Sequence, residues 1–83
     1  MEREILLNNL DKIHTTKLGI ERIKKNLNID CDALLYCKDI IKSDSSTVQA
    51  VGKNYYIEND ECVITVNKSS FTIITAHLKN DKK

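Results

Sequence analysis

Two histidines carry most of the chemistry available to this chain. His77 ends the stretch FTIITAH, and Thr75, two residues earlier, shares its face in any strand. His14 opens the stretch HTTK, followed by Thr15, Thr16 and Lys17. An imidazole titrates near neutral pH, so either ring suits a general acid or base. Around His14, the Thr15 and Thr16 hydroxyls, the dipole of a following helix and Lys17 could converge on one phosphate. Lys12, Arg22, Lys24 and Lys25 make this the most cationic region before the C-terminal tail. A third group is GKNYY, where Lys53 at a turn could reach a phosphate and Tyr55 or Tyr56 could stack on a base. Asn67 and Thr65 would flank Thr75 and His77 in one register of the last two strands. Each group also has an ordinary structural explanation: threonines cap helices, lysines sit at turns, and strand histidines pack.

Metal and cofactor chemistry is not expected. Two histidines without a carboxylate at ligand spacing do not make a metal site. Cys31 and Cys37 have no histidine nearby, and three cysteines do not suggest a disulfide framework. Reduced thiols in a cytoplasmic protein are the simplest reading. The chain has no glycine-rich phosphate loop, nucleophile elbow or pair of catalytic acids.

Eighty-three residues make one domain with a small core, burying roughly 60–65% of the unfolded surface. Four aromatic residues and no tryptophan leave the core to aliphatics. A net charge of +1 argues against a uniformly basic nucleic-acid binder and leaves room for a local patch. No apolar run is long enough to cross a membrane, and MEREILL lacks a signal-peptide core.

The hydrophobic period divides the domain into a helical part, 1–42, a sheet part, 47–78, and a frayed tail, 79–83. Leu6, Leu10 and Ile13 predict a helix over about 2–13. Ile20, Ile23 and Leu27 predict a second helix starting near Thr15-Thr16, with Gly19 in its first turn. Asp30 is the expected cap of a third, striped by Leu34, Cys37 and Ile41. After the break at SDSS, four short extended segments follow, the first two joined by Gly52-Lys53 in a type II′ turn. The expected fold is α+β, with three N-terminal helices packed on one face of a four-stranded antiparallel meander.

The face of the last strand depends on the KSS turn. A two-residue loop pairs Ile64 with Ile73 and puts His77 on the core face. A three-residue loop pairs Ile64 with Ile74 and puts Thr75 and His77 on the other face, with Thr65 and Asn67. An exposed edge strand could pair with another copy, against which Glu58, Asp60 and Glu61 would act.

IHTTKLGIERIKKNL, together with GKNYYI and ITVNKSSFTIITAH, resembles a family of small bacterial proteins without assigned function, over nearly the whole chain. It is more distantly similar to the barnase–EndoU–colicin–RelE nuclease superfold, whose helices precede a four-stranded antiparallel sheet. The second resemblance implies metal-independent RNA cleavage. His77 would be the acid or base, Lys53 or Arg22 would stabilise phosphate charge, Thr75 would orient it, and His14 would be a second acid or base. The sheet lacks the catalytic glutamate of such nucleases. The leading expectation is therefore a ribonuclease-like or RNA-binding domain of a toxin or mobile-element product. Its RNA-binding residues would be Thr15, Thr16, Lys17, Tyr55 and Asn67. The alternatives are a non-enzymatic module acting on a protein partner and a binder of a small phosphate or carboxylate ligand.

Overall fold

A computed structural model describes residues 2–79. The order is α1 (Glu2–Asn8), a 3₁₀ turn (Leu10–Lys12), α2 (Lys17–Leu27), α3 (Ala33–Lys42), β1 (Thr47–Val51), β2 (Asn54–Glu58), β3 (Cys62–Asn67) and β4 (Ile73–Leu78). The strands form one antiparallel sheet in the order β1-β2-β3-β4. The fold is α+β. Of the expected tail, residues 80–83 lie outside the described residues.

The first helix does not run to Ile13. It stops at Asn8 because Asn9 leaves helical geometry (φ −121°, ψ 24°) and its side-chain amide donates to the Ile5 carbonyl, 2.8 Å. Asparagine side chains compete with the helix for backbone partners in this way. The second helix starts as expected, with the Thr16 hydroxyl accepting the Gly19 N–H at 2.9 Å. It ends at Asn28 in the left-handed region (φ 59°), with the Ile29 N–H donating to the Lys24 carbonyl. That is the helix stop that asparagine tolerates when glycine is absent. The cap of α3 is Asp32 rather than Asp30: its carboxylate accepts the Leu35 N–H at 3.1 Å.

Leu6, Ile23, Leu27, Cys37 and Ile41 from the helices share one buried cluster with Tyr55, Ile57, Cys62, Ile64, Val66, Ile73 and Ala76 from the sheet. Arg3 ties α1 to the loop after α3, donating to the Ser43 and Ser46 carbonyls. At the β1–β2 turn Gly52 has φ +61° and Lys53 keeps negative φ, as a type II′ turn requires.

The KSS connection follows neither expected register. Asn67 Oδ1 accepts from the Ser69 and Ser70 N–H groups (2.9 and 3.0 Å), and Phe71 takes a left-handed φ of 57°. The loop is longer than three residues, and a bulge at Ile74 corrects the phase: Val66 pairs with Ile73, while Thr65 pairs with Thr75. Ile64 consequently faces Ala76, and His77 faces Val63. Thr75 and His77 share the Thr65 and Asn67 face, opposite the buried one.

Gly19 has a packing role that the pattern did not reveal. A Cβ there would overlap Thr15 Oγ1. That hydroxyl donates to the Ile73 carbonyl at 3.1 Å, so it is not free to turn aside. Gly19→Ala gains about 1 kcal/mol of helix propensity and loses roughly 1–3 kcal/mol to overpacking. A lower melting temperature is expected, and a higher one would show that Thr15 yields.

Candidate functional site

The sequence groups separate in space. His14 lies beside the start of β4, where its N–H donates to the Phe71 carbonyl (3.1 Å) and its carbonyl accepts the Ile73 N–H (2.8 Å). His77 is five residues beyond Thr72, about 16 Å along an extended strand. The two histidines are therefore not halves of one site. Lys53 is next to Asn54, which pairs with Asn67 four residues from Val63, the partner of His77. That offset is about 13 Å. Arg22 is exposed on α2, one turn before Asn26, and among the described residues no hydrogen bond or ion pair joins it to His77 or Lys53. Together with Leu18, Glu21, Lys25 and Asn26 it borders an open concavity of about 430 Å³.

Several candidates have structural employment. Tyr55 is only 5% exposed and belongs to the core, so it offers no stacking face to a base. Lys68 Nζ stands 5.7 Å from the centre of its ring. Tyr56, on the opposite face of β2, is the partly exposed tyrosine. Asn67 is consumed by its turn, adding the Ser70 hydroxyl (3.2 Å) to its two N–H donors. Thr15 and Asn26 close the outer edge of β4 through the Ile73 and Ala76 carbonyls, both at 3.1 Å. Thr16 caps α2. Thr75 stays half-buried opposite Thr65, and His77 is exposed.

What the structure does bring together is one end of the sheet. The Lys68 N–H donates to the Lys53 carbonyl at 2.9 Å, joining the β1–β2 turn to the β3–β4 loop. The same loop holds His14 through Thr72, and Lys12 and Lys17 bracket His14 in the chain. Lys12, Lys17, Lys53, Lys68 and His14 thus come from three separate segments to this end, with Asp11 as the neighbouring acid. The other end is acidic. Glu58, Asp60 and Glu61 lie there, and Cys31, between Asp30 and Asp32, acts with Glu61 on the Tyr36 hydroxyl. Burial, then Cys62 and Glu61, push that phenol upward. Lys79 is held there by Glu58 at 3.4 Å.

His14 is fixed in orientation. Its Nδ1 lies 2.8 Å from the Lys12 carbonyl, which can only accept, so Nδ1 carries a proton. Nε2 lies 3.1 Å from Thr72 Oγ1, which is 2.7 Å from Ser70 Oγ. A neutral ring accepts from Thr72 at Nε2. A charged ring donates there, and the hydroxyls reverse so that Ser70 donates to Asn67 Oδ1. Both arrangements are satisfied by hydroxyl rotation alone, with both ring nitrogens engaged within the chain. The HTTK spacing pointed to this residue. Lys68 and Ser70 were missed because their role depends on a loop turning back onto a distant segment.

Among the described residues no group of histidine, cysteine and acidic side chains could hold a metal ion, and no helix is long and apolar enough to cross a membrane. A family model described as a protein of unknown function, DUF3781, matches residues 7–77. No curated protein and no solved structure matches the chain.

Proposed function

We propose, for a chain that belongs to the DUF3781 family of proteins of unknown function, that it grips single-stranded RNA at the cationic end of the sheet. The observation that carries this reading is that Lys12, Lys17, Lys53 and Lys68 all belong to the His14 end of the sheet, with Glu58, Asp60 and Glu61 at the far end. A net charge of +1 so divided presents a local field that the total conceals. The resemblance to the nuclease superfold supports RNA as the polyanion, and with it a toxin or mobile-element role. Any metal-independent cleavage falls to His14 as acid or base with Lys68, from the loop that holds His14, on the phosphate, because His77, Thr75 and Arg22 lie elsewhere and Lys53 is on the far side of the sheet. We also read the three helices as lying together on the Ile57 and Ile64 face, which leaves Gln49, Tyr56 and His77 on the opposite face and the loop end accessible.

The test is RNA binding as a function of salt. Four lysine–phosphate contacts give a slope of log K against log salt near −3, about 0.7 for each contact on a single strand. Lys17→Ala or Lys68→Ala should each flatten the slope by about 0.7 and weaken all sequences alike. Lys79→Ala, at the acidic end, should change neither. RNA binding that is absent, or indifferent to these lysines, sinks the reading. Cleavage in EDTA that His14→Ala abolishes would make the domain an enzyme; retained binding without cleavage would make it a grip alone.

One observation favours a second reading, a non-enzymatic module for a protein partner. The sheet face away from the core carries Gln49, Tyr56 and Thr75 in one row with the buried Thr65, and no lysine or arginine on its strands, with Val51 57% exposed at its margin. A stoichiometric protein partner, retained by the lysine variants and lost on Tyr56→Ala, would favour it.

A further inference from the structure

The two edges of the sheet are treated differently. On β4 three outward-facing groups are taken by the chain itself: Ile73 N–H meets the His14 carbonyl, Ile73 C=O meets Thr15, and Ala76 C=O meets Asn26. On β1 the outward-facing backbone is open. The two-residue turn makes Val51 and Asn54 a hydrogen-bonded pair, so Thr47, Gln49 and Val51 bond inward to β2. Val48 and Ala50 then direct both their N–H and C=O groups away from the sheet. Past Val48, Arg3 takes the Ser46 carbonyl and Ser43 the Ser46 N–H, so the free stretch ends there.

Edge strands are usually blunted by a charge, a proline or a bulge. β1, TVQAV, has none of these. The acids at Glu58, Asp60 and Glu61 that were expected to discourage pairing are on β2 and its following loop, not on the edge.

We propose that the occupant of this edge is β1 of a second copy of the chain, antiparallel about a two-fold axis at Gln49. In that register Val48 stands opposite Ala50 of the second copy, and Ala50 opposite its Val48. Each such pair exchanges two N–H to C=O bonds, so four bonds close both free stretches with none left over. The interface is isologous and therefore closes at a dimer. Gln49 meets its own copy at the axis, as an uncharged pair on the open face. Thr47 meets Val51, covering the most exposed apolar residue of the strand.

Charge selects a second copy over an unrelated strand. Beyond Thr47 lies Asp44, whose fully exposed carboxylate stands 3.8 Å from Arg3 and keeps its other side open, and beyond Val51 lies Lys53. The two-fold carries the Lys53 turn of each copy toward the Asp44 loop of the other, giving opposite charges at both ends and none between. The joined sheet has eight strands, and at each β4 edge the Ile73 groups and the Ala76 carbonyl are already taken, which opposes further growth. This inference does not depend on RNA binding.

Sedimentation equilibrium of the purified protein should give twice 9.5 kDa, with a monomer appearing on dilution. Two variants act on the edge without removing a bond of the monomer's own ladder. Ala50→Pro deletes an outward N–H, a position where edge strands accept proline. Gln49→Lys sets two ammonium groups face to face at the axis. Both should sediment as monomers with an unchanged far-ultraviolet circular dichroism spectrum. If Ala50→Pro unfolds, Gln49→Lys decides alone. Asp44→Lys should weaken the dimer, and adding Lys53→Asp should restore it. A wild type that is monomeric at every concentration, or a dimer that survives Gln49→Lys, overturns the proposal; a strand from another protein as the natural occupant would produce the first result.

Discussion

Replacing Ile64 by alanine is expected to lower the unfolding free energy by roughly 2–5 kcal/mol. Ile64 is fully buried, between Ile57 on β2 and Ala76 on β4. The lost side chain leaves a void that a hydrogen-bonded strand cannot move to fill. A domain of this length has a total stability of about 4–12 kcal/mol. One substitution therefore consumes much of the margin, and the urea midpoint should fall with little change in the m-value. Val63→Ala, one residue earlier on the open face, should cost about 1 kcal/mol or less, because that site is only half-buried and has solvent on its free side. Equal losses at the two positions would mean that the sheet is covered on both faces.

Alkaline pH should destabilise the fold through its buried thiols. Burial, followed by the nearby Cys62, pushes the Cys37 thiol up to about 12, from 9.0 for a free thiol. Below pH 9 the proton is bound in both folded and unfolded chains, and the stability is fully present. Between 9 and 12 the unfolded chain releases the proton while the folded chain keeps it. The unfolded state then binds fewer protons, so stability falls as pH rises, by about 1.4 kcal/mol for each pH unit. Cys62 is shifted in the same direction, by burial and then Glu61 and against Lys79, and steepens the decline. Urea midpoints followed through this window should fall less steeply for Cys37→Ala than for the wild type. Parallel slopes would show that other groups control alkaline unfolding.

Local chemistry was legible where it acts within a few residues. Thr16 is the cap of α2 because a hydroxyl reaches an N–H three residues on, whatever surrounds it. Gly52 marks a type II′ turn for the same reason: glycine adopts positive φ at no steric cost. The distinction between Asp30 and Asp32 was not legible, since either carboxylate can cap the same helix and packing of Ala33 and Cys37 sets the starting residue. The break at Asn9 was hidden because Leu6, Leu10 and Ile13 keep a helical spacing although only Leu6 belongs to α1.

The candidate site was legible only in part. HTTK drew attention to His14, and KSS was recognised as the loop controlling the last strand. Their meeting was not foreseen: His14 and Thr72 are 58 residues apart, and neither pattern names the other. The pairing of His77 with Lys53 failed because both were placed by residue type, whereas the register puts them at opposite ends of the sheet.

By itself, the sequence determined the elements and the class: a helical period before residue 42, an alternating one after 47, and an aliphatic core to join them. These follow from side-chain spacing along the chain, which is local. Tertiary structure alone decided which residues became neighbours. The positive φ of Phe71 and the bulge at Ile74 together set the phase of β4, and both are held by contacts with the His14 segment and β3. A shift of one residue would send Thr75 and His77 into the core, and its cost is paid across the whole sheet rather than at the loop. That is why FTIITAH, read alone, could not say which way His77 points.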